Sequence, residues 1–93
     1  MSDPRITVVC EPSNGDWTCH VTVGGPGAPT THDVTLASAD LARYAPGASD
    51  PVDLVERSFA FLLEREPKTA ILRRFDLPVI GRYFPEYERE IRR

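Results

Sequence analysis

DPVDLVERSFAFLLERE, residues 50–66, is the one segment of this chain that combines a clear helix start with enough apolar surface to anchor a core. Asp50 stands where an N-cap carboxylate accepts a backbone amide. Pro51 suits the first helical position, where a missing N–H costs nothing, and Asp53 lies beside the positive end of the helix dipole. Val52, Val55, Phe59, Leu62 and Leu63 recur at spacings of three and four and so share a face, with Asp53, Arg57, Ala60 and Glu64 on the opposite one. Leu54, Ser58 and Phe61 widen the stripe on its flank, so the helix is expected to touch more than one element. Pro67 stops it by clashing with the preceding turn. Residues 51–66 are therefore read as the core helix.

The rest of the chain has to supply the other wall of that core. Its 93 residues suit a single domain, 1–93, that buries roughly 60–65% of its unfolded surface without a metal or disulfide framework. No run approaches the ~18 apolar residues of a membrane span, and the start MSDPRITVVC lacks the basic stretch and apolar run of a signal peptide. The expectation is a cytoplasmic protein with no membrane partner. The net charge of −3 hides an asymmetry: residues 1–49 carry two basic side chains against five acids, residues 50–93 nine of each sign. No global field favours nucleic acid. Ten of the eleven basic residues are Arg and nine residues are Pro, a usage expected of a GC-rich bacterial genome.

Ahead of the helix the apolar period changes to two. Ile6, Val8 and Cys10 alternate with Thr7, Val9 and Glu11, and Trp17, Cys19, Val21 and Val23 alternate with Thr18, His20 and Thr22, with Asn14-Gly15 between. Asn-Gly is the favoured centre of a type I′ turn because both positions need positive φ, so this is a β-hairpin. A two-residue loop pairs Pro12 with Trp17, Cys10 with Cys19, Val8 with Val21 and Ile6 with Val23, apolar opposite apolar throughout. A one-residue slip would set Cys10 against His20 and send one strand's apolar set to the wrong face. Pro12 then falls at a non-hydrogen-bonded position, which suits a first strand at the sheet edge. After the breakers of residues 24–29, His32, Val34 and Leu36 alternate with Thr31, Asp33 and Thr35 as a third strand. Residues 5–36 read as a three-stranded antiparallel meander with one apolar face.

Ser38 is placed to cap a short helix over 38–45 whose Leu41 and Tyr44 cover one end of the sheet. Residues 67–92 read as short C-terminal helices. The first runs over 68–75 with Ala70, Ile71, Leu72 and Phe75 apolar, and Asp76 and Pro78 open the next turn. Pro85 forces a break near Phe84 before a terminal helix supported by Glu88 with Arg92. The fold class is α+β: the meander covered on one face by the core helix and these short helices.

Candidate chemistry is sparse. Cys10 and Cys19 face each other in the chosen register, but the C-x₂₋₄-C knuckle of structural zinc is missing and His20 points to the other face. They are expected to be reduced core thiols; a cross-strand disulfide fits the geometry but not a cytoplasmic setting. His32 on the apolar face is expected to be a hydrogen-bonded core histidine. His20, Asp16, Asp33 and the serines offer acid–base groups and hydroxyls, but nothing sets a nucleophile beside a base. No catalytic residue, metal ligand or cofactor is assigned. The basic stretch 65–82, with Tyr83, Phe84 and Tyr87 after it, could contact phosphates and stack on bases through Arg73, Arg74 and Arg82. Its two short helices loosely match helix-turn-helix spacing, although Gly81 and Pro85 disrupt the second. The competing reading has Phe75, Ile80, Phe84 and Tyr87 in the core and the arginines paired with Glu64, Glu66, Asp76, Glu86 and Glu90.

FLLEREP at 61–67, ILRRFDLPVI at 71–80 and YFPEYE at 83–88, with THDVTLASADL before them, resemble a family of short uncharacterised bacterial proteins of similar length, a likeness that implies no established activity. The order of a meander followed by a helix is also similar to HicB-type antitoxins, in element order alone. The function expected is a non-enzymatic protein-interaction or regulatory module with an unidentified partner. The alternatives are a nucleic-acid-binding or antitoxin-like regulator using residues 65–82, and a small enzyme without a recognisable motif. The apolar surplus of the second half exceeds what three strands can cover, so a homodimer is expected, with a two-fold contact built from Phe61, Ile80, Tyr83 and Phe84.

Overall fold

The computed structural model describes residues 5–92; the first four residues and Arg93, counted in the expected 1–93 domain, lie outside the described residues. The chain runs β1 (Ile6–Ser13), β2 (Asp16–Val23), β3 (Thr30–Leu36), α1 (Ser38–Tyr44), α2 (Val52–Leu63), a 3₁₀ turn (Lys68–Ala70), β4 (Arg74–Asp76), α3 (Val79–Tyr83) and α4 (Tyr87–Ile91). The fold is α+β. The hairpin turns on Asn14 at φ 52° and Gly15 at φ 84°, the two positive values a type I′ turn demands. Its register pairs Ile6 with Val23, Val8 with Val21, Cys10 with Cys19 and Pro12 with Trp17. β3 continues the same face, setting Leu36 beside Trp17, Val34 beside Cys19 and His32 beside Val21. Ile6, Cys19, Val21, Val23, Val34, Leu36 and His32 are all buried, whereas Thr7, Val9, Glu11, His20, Thr22 and Thr31 are exposed. One sheet face is therefore core and the other solvent.

The sheet has a fourth strand that periodicity does not reveal. The order is β1-β2-β3-β4, and β4 pairs parallel to β3 through Asp33–Arg74, Val34–Phe75 and Thr35–Asp76. This corrects the reading of residues 67–92 as short helices only. Of the helix expected over 68–75, one 3₁₀ turn forms, and the backbone is extended by Ile71 (φ −74°, ψ 134°). The free edge of β3 decides the matter: the Asp33 amide donates to the Arg73 carbonyl at 2.8 Å and the Leu77 amide to the Thr35 carbonyl at 2.9 Å. Polar backbone on that edge is satisfied in a way a helix could not match. α1 and α2 together form the long crossover that a parallel pair requires.

The cysteines also depart from expectation. Cys10 and Cys19 are joined in a disulfide across a Cα separation of 4.0 Å. They occupy a non-hydrogen-bonded pair, the site in an antiparallel ladder where opposite residues approach most closely. The register is the expected one; the expectation of reduced thiols, drawn from the burial preference of free Cys and from a cytoplasmic setting, is overturned.

α2 spans twelve residues, shorter at both ends than 51–66. Asp50 accepts the Val52 amide at 3.0 Å, so the cap works just ahead of the helix. Past Leu63 the Arg65 and Glu66 amides both bond the Leu62 carbonyl, closing the end as tightened turns. The buried stripe is Leu54, Val55, Ser58, Phe59, Phe61 and Leu62, rotated toward the flank, with Val52 and Leu63 only half-buried. Two neighbours draw it there. Phe59 packs between His32 (ring centroids 5.3 Å apart) and Phe75 (6.0 Å) under the sheet. On the flank, Ser58 Oγ donates to the Leu54 carbonyl at 2.7 Å and lies 2.6 Å from the buried Tyr87 hydroxyl of α4. Ser38 does not cap α1 through its side chain. Its hydroxyl donates to the Gly15 carbonyl and its amide to Asp16 Oδ1 at 3.1 Å, tying α1 to the hairpin turn. α3 and α4 are separated at Phe84, whose extended backbone precedes Pro85, and Glu88 meets Arg92 at 3.4 Å within α4 and Arg43 of α1. Among the described residues, no helix is long and apolar enough to cross a membrane.

Candidate functional site

β4 and α3 enclose a groove beside the end of α2. Its volume is about 300 Å³, and it is lined by Leu62 and Glu66 of α2 and its closing turn, Ala70, Ile71 and Leu72 leading into β4, Phe75 of β4, and Val79, Ile80, Tyr83 and Phe84 of α3 and its cap. The local sequence explains the arrangement. Phe75 is held on the core face by its pairing with Val34, and Leu77 is fully buried, so the chain must turn at Pro78. On the helix that follows, Val79, Ile80, Tyr83 and Phe84 recur at i, i+1, i+4 and i+5 and turn one side to the groove. His32 fixes the opposite rim: it is buried, with Nδ1–H donating to the Leu72 carbonyl at 2.8 Å and Nε2 2.9 Å from the Thr30 hydroxyl.

Three large apolar side chains stand exposed among the described residues: Val9 on the solvent face of the sheet, and Leu72 (47%) and Tyr83 (66%) on the groove. The lining carries one ionisable carboxylate, Glu66, which makes no ion pair among the described residues. Buried side-chain nitrogens and oxygens among the described residues all have hydrogen-bond partners. The groove thus presents an apolar floor with one carboxylate at its margin, which suits an apolar side chain better than a polar small molecule.

Of the residues expected at an interface, Ile80, Tyr83 and Phe84 come together here. Phe61 does not join them. It is 6% exposed, with its ring edge-on to Tyr87 at 5.3 Å and Phe84 at 5.9 Å and the Arg65 guanidinium 3.5 Å above it. Arg65 is held there by the Phe61 carbonyl at 3.0 Å and Glu86 at 3.2 Å. Glu86 sits below the usual carboxylate range, because of its own backbone hydrogen bond first and Arg65 second.

The arginines expected to contact nucleic acid are spread over separate elements. Arg74 lies in β4 with Nε 3.7 Å from Asp33, Arg73 precedes that strand and Arg82 belongs to α3. Arg73 and Arg82 make no ion pair among the described residues. With β4 where a first helix was expected, helix-turn-helix spacing is lost. Arginine–acid pairing is partial: Arg65 meets Glu64 and Glu86, while Asp76 accepts the Thr35 hydroxyl.

A second cluster spans the solvent face of the sheet, where His20 reaches Asp33 at 2.8 Å through Nδ1 and Glu11 at 3.4 Å through Nε2. The hydrogen bond to Asp33, then that to Glu11, raises the imidazole above its ordinary pKa. The cluster lies open to solvent. The described residues contain no group of three or more His, Cys, Asp or Glu able to hold a metal ion.

Glu66 and Leu72 were not read as site residues from the sequence. Leu72 reaches the groove because β4 carries the chain alongside β3, where it meets Glu66 from the turn that closes α2, and no local pattern signals that pairing. Comparison with family models, curated proteins and solved structures finds no match to this chain.

Proposed function

We propose that this chain is a non-enzymatic protein-interaction module whose contact surface is the groove between α2, β4 and α3. One observation carries the reading: of the three large apolar side chains exposed among the described residues, two, Leu72 and Tyr83, lie together on an apolar groove. Clustered exposed apolar surface is uncommon on monomers unless it is used, and aromatic anchors at a pocket gain most from burial. A regulatory role would be exercised through the same surface, by what the groove holds. The Cys10–Cys19 disulfide favours an oxidising setting over the cytoplasmic one expected from composition.

A second reading, nucleic-acid binding, draws support from Arg73 and Arg82, which no carboxylate neutralises among the described residues. Capture from native lysate with and without nuclease separates the two. The module reading expects protein that survives nuclease and is lost with Tyr83→Ala. Material that vanishes with nuclease, or is retained equally by Tyr83→Ala, would contradict it.

A further inference from the structure

We infer that the occupant of the groove is a second copy of this chain, bound about a two-fold axis so that Tyr83 of each copy enters the groove of the other and Arg82 of each meets the partner's Glu66. The inference rests on the groove being the contact surface and adds the identity of what fills it. A two-fold interface uses one patch on both copies, so that patch must hold both halves of every contact. This one does. It contains the hole, about 300 Å³ and apolar, and the knob, Tyr83, 66% exposed at its rim. The groove and its flank also offer both members of an ion pair: Glu66 lines the groove, Arg82 is exposed on α3 next to Tyr83 and outside the lining, and neither has an ion-pair partner among the described residues.

Other occupants match less of this. An acidic strand or phosphate backbone would meet Arg82 but bring its own charge against Glu66. A purely apolar segment would leave both charges at the margin without a partner. A groove that supplies carboxylate, aromatic knob and apolar hole, with a guanidinium on the flanking helix, is complementary to itself. The contact also excludes Phe61, which is already covered within the chain by Phe84, Tyr87 and Arg65.

Charge reversal tests the pairing directly. Sedimentation equilibrium would compare the wild type, Glu66→Arg, Arg82→Glu, and an equimolar mixture of the two variants. The wild type is expected to associate to twice its 10.4 kDa. Each variant alone should dissociate, since it sets like charges together twice. The mixture should recover the dimer, because one copy then presents two arginines and the other two glutamates. Tyr83→Ala should weaken association by about tenfold or more, as loss of an aromatic anchor does. Circular dichroism melts guard against misfolding, and none of the three positions is in the buried core.

A wild type that stays at 10.4 kDa overturns the inference, as does a dimer indifferent to all three substitutions or a mixture that fails to reassociate. The groove reading fails separately. A monomeric wild type that still captures a protein through Tyr83 leaves the module in place with a different partner. A monomer that captures nothing removes both.

Discussion

Reducing the Cys10–Cys19 bond should destabilise the fold by an amount that the loop it closes determines. The two cysteines are 9 residues apart, and in the chain-entropy description a loop of that size removes about 2.6 kcal/mol of unfolded-state freedom at 25 °C. At about 2.1 cal/mol/K of unfolding entropy per residue, a chain of this length converts that into a fall in Tm of roughly 13 °C. A hairpin that partly survives in the unfolded chain, favoured here by Asn14-Gly15, lowers the figure, so the expected fall is roughly 5–13 °C. Packing changes little, because Cys19 remains under the helices whether bonded or not. Thermal melts with and without a phosphine reductant give the measurement, with thiol titration to prove that the bond is open. Cys10→Ala, on the half-exposed partner, should reproduce the shift without reductant. A fully reduced protein melting within a degree or two of the oxidised one would refute the argument, and would mean that the turn and the apolar register alone hold β1 in place.

Other perturbations probe the packing and the charges. Tyr87→Phe removes the hydroxyl 2.6 Å from Ser58 Oγ but leaves Ser58 its bond to the Leu54 carbonyl, so the loss should be about 1 kcal/mol in urea unfolding. Ser58→Ala strands the buried Tyr87 hydroxyl and should cost more than Tyr87→Phe; the reverse order would contradict the assigned network. His20, raised by Asp33 and then Glu11, stabilises the fold fully below its unfolded pKa of about 6.5, and this contribution disappears as pH rises through the higher folded value. Wild type should therefore lose urea midpoint relative to His20→Gln between pH 6 and 8; parallel pH profiles would remove the interaction.

The legible part of this fold was its local part. Asn14-Gly15 and strict alternation on both sides fix the register of three strands, because a slip by one residue would bury Thr22 or His20 in place of Val21. Pro51 and Pro85 mark a helix start and a break for steric reasons that hold in any context. What escaped is non-local. Residues 74–76 show no period to read, and Arg-Phe-Asp becomes a strand only because β3 has an unpaired edge beside it. The buried face of α2 shifted toward Leu54, Ser58 and Phe61 for the same kind of reason: Tyr87, far along the chain, packs there. The groove inherits both surprises. Ile80, Tyr83 and Phe84 were readable as an apolar cluster, but their setting against Leu72 and Glu66 depends on β4.

Fluorine NMR on protein labelled with 3-fluorotyrosine tests the groove as the contact surface most directly. The chain has three tyrosines; Tyr44 and Tyr87 are buried, whereas Tyr83 is 66% exposed. Over a concentration series that spans association, the Tyr83 resonance should move and lose its response to solvent D₂O, while the Tyr44 and Tyr87 resonances hold still. Association that leaves the Tyr83 resonance unmoved and solvent-sensitive would contradict the account.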